Sequence, residues 1–363
     1  MAQEMVLVEA LTKEQKEKTF SNTYKNWGAS LMEQEIYMDR ERLAAVQDLT
    51  KEKLTHWLYG PKLAFEKNPK MLDFYASIET IARKMFIKRC GSSKVQEIDV
   101  FSITKVFCCE EYRSKGHATR MLKDLYEILK NKGEASDLYS DIGRGFYSKL
   151  GYDEIDNSYV TINSDSLLAE THLKASLINR NLLREITKLD SDKIYNELEA
   201  EPISNTTRIC ITPTYEIVEW RNVRDEFEGM NVFNSKERLE LFGAVISDQV
   251  NSDVSLSTDY RALPSFITWT CRFREKGLFI LRTRFNLNED IVPLINSALE
   301  YAKKKDLSHI LFWNPKAEVL AELQANYNAK IAEQSNSIPC IALFNKLPGE
   351  KIEWLNCENY AWI

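Results

Sequence analysis

Residues Arg113-Ser114-Lys115-Gly116-His117-Ala118 have the makings of an anion cradle. From Ala118 onward Met121, Leu122, Leu125, Tyr126, Ile128 and Leu129 recur at helical spacing, so the hexapeptide opens a helix. A helix N-terminus leaves backbone N–H groups unpartnered and carries partial positive charge. Gly116 and Ala118 are small enough to let a ligand approach those groups, and Arg113 and Lys115 add full charges. Such a turn suits a pyrophosphate. The alternatives fit less well: the chain has no G-x-x-x-x-G-K, and one glycine stands where a dinucleotide fingerprint needs three. His117, between Gly116 and Ala118, is expected to face solvent or the phosphate.

Other residues are candidates for acid–base work. Tyr147, in Tyr147-Ser148-Lys149-Leu150-Gly151-Tyr152, carries a phenol that can donate a proton. Glu79 lies on a long strand-like run, and Asp141 follows a short one. Cys108 and Cys109 sit on a strand with no partner histidine, and read as small buried side chains rather than nucleophiles. The four histidines and seven cysteines form neither H-x-x-x-H nor C-x-x-C, so no metal site is expected. No G-x-S-x-G turn is present for a serine hydrolase.

These residues depend on a mixed framework. Helices are predicted over 8–27, with Thr12 and Gln15 as a capping box, and over 38–50. Strands follow at 54–60, 74–90 and 97–109. After the helix from Ala118 come a strand at 137–142, a short helix at 144–151 and a strand at 159–164. A charged helical stretch, 165–200, reads as a connector. The second half offers a polar helical stretch at 221–246, strands at 266–273 and 278–285, a helix at 288–304, a strand at 309–314, a helix at 316–327 and a strand at 340–345. Both halves run in the same order of elements, which suggests a duplicated α/β unit. The second copy has Phe285-Asn286-Leu287-Asn288-Glu289-Asp290 where the first has its glycine loop.

Composition narrows the classes. The 363 residues carry a net charge of −6, with 48 basic and 54 acidic residues, which argues against a broad nucleic-acid surface. No apolar run approaches the roughly 20 residues that cross a bilayer. Scattered cysteines fit a reducing compartment, so a cytoplasmic and also nuclear location is expected.

The hexapeptide resembles the acetyl-coenzyme A signature [QR]-x-x-G-x-[GA] of the GNAT superfamily of N-acetyltransferases, placed after a long strand and before a helix. The downstream Tyr147–Tyr152 run resembles that family's Y-x-x-x-G-[FY]. The stretches YASIET, VFCCEEYRSKGHATRML and NYAWI further resemble the yeast lysine N6-acetyltransferase family of lysine catabolism. The resemblance implies a GNAT fold, a mixed, mostly antiparallel sheet flanked by helices, with a second, degenerate GNAT-like domain behind it. It implies that Val106 and Phe107 pair with the pantetheine arm and that the amides of Ser114, Lys115, Gly116, His117, Ala118 and Thr119, with Arg113, hold the pyrophosphate. Tyr147 would protonate the departing thiolate, Phe107 N–H would polarise the carbonyl, and Glu79 is a candidate base. As in some tandem members, the Ile363 carboxylate is expected to enter the cleft near Tyr147.

The expected division is 1–165 for the coenzyme-binding domain, 166–206 for a helical connector and 207–363 for the second domain. The expected activity is transfer of acetyl from acetyl-coenzyme A to a primary amine, foremost the ε-amine of free L-lysine. A protein lysine or N-terminus, another small amine, and a silent acetyl-coenzyme A-binding protein are the alternatives. Partners are the small amine and the cosubstrate, without nucleic acid, membrane or metal, in a monomer or homodimer.

Overall fold

The computed structural model describes residues 3–166, 175–235, 237–247 and 256–363. In chain order its strands and helices are β1 (Met5–Glu9), α1 (Lys13–Trp27), α2 (Gln34–Ala45), β2 (Leu54–Pro61), α3 (Lys62–Lys67), β3 (Ala76–Lys88), β4 (Gln96–Cys108), α4 (His117–Lys130), β5 (Ala135–Ser140), β6 (Asp153–Glu154), β7 (Ser158–Asn163) and β8 (Ala175–Leu177). Then follow α5 (Arg180–Ala200), β9 (Thr206–Ile211), α6 (Tyr215–Asn231), β10 (Gly243–Ile246), β11 (Phe266–Arg272), β12 (Gly277–Arg284), α7 (Ile291–Lys304), β13 (His309–Trp313), α8 (Ala317–Tyr327), β14 (Lys330–Glu333), β15 (Ile338–Leu343) and β16 (Lys351–Trp354).

Two compact units divide the chain. The first comprises residues up to Met85, Glu97–Ile155 and Asn336–Gly349; the second comprises Phe86–Gln96, Asp156–Ser335 and Glu350–Ile363. The sheet of the first unit runs β1-β2-β3-β4-β5-β15-β6. Within it β4 and β5 are parallel, and β15 lies antiparallel to β5 and β6. The second unit's sheet runs β8-β10-β11-β12-β13-β7-β14, with β12 and β13 parallel and β7 antiparallel to β13 and β14. The two orders match strand for strand. Each unit takes the strand beside its short parallel strand from the far end of the other sequence half: β15 serves the first unit and β7 the second.

The start of the first helix departs from expectation. Met5–Glu9 pairs antiparallel with β2, and the helix begins only at Lys13. The capping box is present: Thr12 Oγ1 accepts from Gln15 N–H at 3.2 Å and Gln15 Oε1 accepts from Thr12 N–H at 3.2 Å. The helix predicted at 144–151 is a single 3-10 turn, Ser148–Leu150. The one predicted at 221–246 ends at Asn231, with β10 beyond it. The first unit's core gathers Trp57, Ile78, Ile103, Met121, Leu125, Leu138, Tyr147 and Cys340 around the inner face of α4. No helix among the described residues is long and apolar enough to cross a membrane.

Candidate functional site

The parallel pairing of β4 with β5 runs from Val100↔Ala135 to Ile103↔Leu138. Beyond it β4 continues for five residues, Thr104–Cys108. Lys105 has φ +50°, a left-handed backbone that breaks the regular pleat at this point. The strands therefore part where Val106 and Phe107 lie, and a parted strand end offers backbone groups to an extended ligand. Among the described residues no side chain accepts from the backbone N–H groups of 104–108.

Past Cys108 the chain makes a 3-10 turn, Glu110–Tyr112, and enters α4 at His117. Ser114 (φ +61°) and Gly116 (φ +76°) are both left-handed, and the turn depends on glycine's freedom at the second. Gly116 is the N-cap of α4, and no side chain caps the helix. Its first N–H groups are therefore left for a ligand, and residues 113–116 are exposed. Arg113 folds back along the strand, its Nε donating to the Cys108 carbonyl at 2.9 Å and its guanidinium lying 5.6 Å from the Phe107 ring. Lys115 Nζ donates to the Glu111 carbonyl at 2.9 Å.

His117 does not face open solvent, the first of the two expectations for it. It is buried, 9% exposed, with its ring edge-on to Tyr75 (5.3 Å) and near Tyr59 and Tyr112. Burial, with the charges of Arg120 and Lys115, lowers its pKa and keeps it neutral. With Arg120, Lys123 and the tyrosines it lines a cavity of about 620 Å³ beside α4.

Tyr147 is buried, edge-on to Phe146 at 5.0 Å and to Tyr152 at 6.1 Å. It packs in the same cluster as Ile103 and Leu138, the last paired residues of β4 and β5. Burial raises its pKa, with smaller contributions from Cys340 and Asp141, so the phenol holds its proton at neutral pH. Among the described residues its hydroxyl has no hydrogen-bond partner.

Glu79 is 3% exposed on β3 and sits in a charged cluster. Lys105 Nζ lies 3.0 Å from its carboxylate and also pairs with Glu41, while His56 Nδ1 lies 3.2 Å away. Arg40 backs Glu41 at 2.7 Å. Burial works to raise the Glu79 pKa, but Lys105 and then His56 outweigh it, and the carboxyl lies below its ordinary value. A carboxylate so held is a poor proton acceptor. Lys105, Glu41 and His56 escaped the sequence reading, although a lone lysine in the apolar run of β4 was a usable signal.

Burial raises both thiols, Cys108 at the end of β4 and Cys109 just past it rather than on the strand, the latter to about 11, so neither is a thiolate at neutral pH. Asp141 is exposed and accepts from Ser337 Oγ at 3.1 Å. Ile363 ends a tail that docks inside the second unit: Tyr360 O–H donates to the Ile211 carbonyl at 2.6 Å, and the Arg221 guanidinium lies 4.1 Å over the Trp362 ring. Among the described residues no group of His, Cys, Asp and Glu could hold a metal.

Residues 159–363 match the family described as the LYC1 GNAT-like C-terminal domain. The chain belongs to this family. The match spans more than half of the chain, and the resemblance read in the first half supplies the rest: the protein is a GNAT acyltransferase similar to the yeast lysine acetyltransferases. It is 21% identical to a lysine acetyltransferase of Yarrowia lipolytica over 95% of this chain and 96% of that protein. It is 24% identical to the uncharacterized protein YGR111W of Saccharomyces cerevisiae, over 93% and 92% of the two chains. A probable N-acyltransferase from Enterococcus faecalis shares the fold, with a TM-score of 0.58, 11% identity, and coverage of 94% of this chain and 73% of that one. In this LYC1 GNAT-like acetyltransferase the left-handed glycine that opens a helix at 116 belongs to the first unit, and the second has Phe285–Asp290 in the matching place.

Proposed function

We propose that the first unit transfers acetyl from acetyl-coenzyme A to the ε-amine of free lysine. One observation carries the reading. An uncapped helix start at Gly116, a parted strand pair beyond Ile103, and a buried, protonated Tyr147 packed against that parting point all occur in one unit. The fit to the cosubstrate is direct. The amides of Ser114–Thr119 would face the pyrophosphate with no competing side-chain cap on α4, and Val106 and Phe107 lie where β4 has left β5. Bound there, acetyl-coenzyme A supplies the activated acyl group.

The chain's own part is positional and protonic. The backbone at 106–107 orients the acyl carbonyl, and Tyr147 holds the proton that the leaving sulfur takes. Glu79 is fixed by Lys105 and His56 and serves to hold the β3–β4 surface rather than to abstract a proton. Lysine as acceptor is supported by the likeness to the lysine acetyltransferase of Yarrowia lipolytica. It is also supported by a cavity of about 220 Å³ bounded by Lys18, Asn22, Asp73, Phe107, Cys109 and Glu111. Its lining carries both cations and carboxylates, Lys18 and Lys25 with Asp73 and Glu111, which suits an amino acid's two charged groups.

The test is thiol release from acetyl-coenzyme A with a panel of amines. Release with free lysine well above that with other small amines and lysine peptides is expected. Release only with peptides would overturn the acceptor, and no release with any amine would overturn the activity.

A further inference from the structure

The second unit repeats the parted strands but fills the gap from its own chain. Its β12–β13 pairing runs from Gly277↔His309 to Phe279↔Leu311 and stops there, while β12 continues to Arg284. The β11–β12 register skips Leu281, two residues past the last parallel pair, as left-handed Lys105 is two past Ile103 in the first unit. The gap therefore forms in the same way.

Into it comes the segment after β16. Asn356, left-handed at φ +50°, turns the chain inward. The Glu358 carboxylate accepts from Thr283 N–H at 2.8 Å, from Thr283 Oγ1 at 3.1 Å and from Arg282 Nη1 at 3.0 Å. On the β13 side the Cys357 carbonyl accepts from Asn314 Nδ2 at 2.6 Å. Three consecutive residues thus bridge both parted edges. The turn before α7 also takes a carboxylate of the chain, since Asp290 accepts from Leu287 N–H at 3.3 Å and from Ser265 Oγ. In the first unit, among the described residues, no carboxylate takes either position.

We propose that Asn356–Glu358 is an internal ligand of the second unit, seated in the slot that the first unit gives to its cosubstrate, with Glu358 as the residue that positions the C-terminal tail. The equivalence of the slots rests on the cosubstrate reading above; the seating of the segment rests on the second unit alone. Two consequences follow. Each chain has one coenzyme site, and the seating of residues 359–362 on β9 and Arg221 depends on the Glu358 anchor.

The experiment combines calorimetric titration with coenzyme A and amide hydrogen exchange on the full chain. The native protein should bind one coenzyme A and protect peptides covering 278–285 and 356–362. Glu358→Ala should raise exchange about tenfold or more in both peptides together, as expected for losing a charge-assisted hydrogen bond, with exchange around 113–120 unchanged. Glu358→Gln, which keeps an acceptor for Thr283 N–H, should fall between. If the alanine variant does not fold, the glutamine variant and Asn314→Ala still test the coupling. Two coenzyme A molecules per native chain, or unchanged exchange in both peptides of a folded variant, would overturn the proposal. No coenzyme A binding with the coupled exchange intact would sink the cosubstrate reading and leave the internal ligand standing.

Discussion

The two units share one strand order and differ at the ends of two strands. In the first, β4 leaves β5 beyond Ile103 and the following helix begins uncapped at Gly116. In the second, β12 leaves β13 beyond Phe279, but Glu358 takes the Thr283 amide and Asp290 takes the turn before α7. The lesson is that the fold alone does not make the site. On the proposed reading, the same parted strands would serve a ligand in one unit and hold the chain's own tail in the other, according to whether carboxylates of the chain satisfy the free amides.

The sharpest way to break this contrast is Gly116→Glu. A side chain at φ +76° strains the turn, and its carboxylate competes with the phosphate for the same amides. Coenzyme A binding, measured by calorimetry, should be lost; unchanged affinity would mean that the uncapped turn is not the site. Tyr147→Phe removes the proton donor without altering the cradle. Turnover should fall by about 10²–10⁴-fold while coenzyme A affinity holds, and an equal loss of both would make Tyr147 a packing residue.

Lys105→Met tests what the break in β4 costs. It leaves Glu79 and Glu41 without their shared ammonium, and removing one partner of a buried pair typically costs about 3–5 kcal/mol. Chemical denaturation should show a loss of that order. The pH dependence is gentler. The Glu79 carboxyl sits below its ordinary 4.5, because Lys105 and His56 outweigh burial. A depressed folded pKa gives stability that is present above the ordinary value and lost as pH falls through the depressed one. The native Tm should therefore drop below about pH 4.5 more steeply than that of Glu79→Gln; parallel curves would remove Glu79 from the acid response. The smallest effect belongs to the second unit, where Glu358→Ala should leave coenzyme A affinity at the first unit unchanged.

The glycine turn into α4 was legible because it is local. A glycine between two cations and an apolar helical face spans only a few consecutive positions, so sequence and structure agree on where α4 starts. The buried charges were not legible. Glu79, Glu41, His56 and Lys105 come from four elements, and nothing in their spacing says that they meet. The burial of His117 was not legible for the same reason, since its tyrosine cage is assembled from β2, the start of β3 and the 3-10 turn.

The exchanged strands mark the boundary most clearly. The sequence by itself determined the order of the strands from β2 to β5, the loop at 113–118, the capping box at Thr12 and the absence of a second glycine loop, because each is written in neighbouring residues. The tertiary structure decided that β15 lies between β5 and β6, that β7 lies beside β13, and that Glu358 fills the second slot. An apolar strand such as Ile338–Leu343 can be buried in either sheet, and its partner is chosen by hydrogen bonds to strands about 200 residues away.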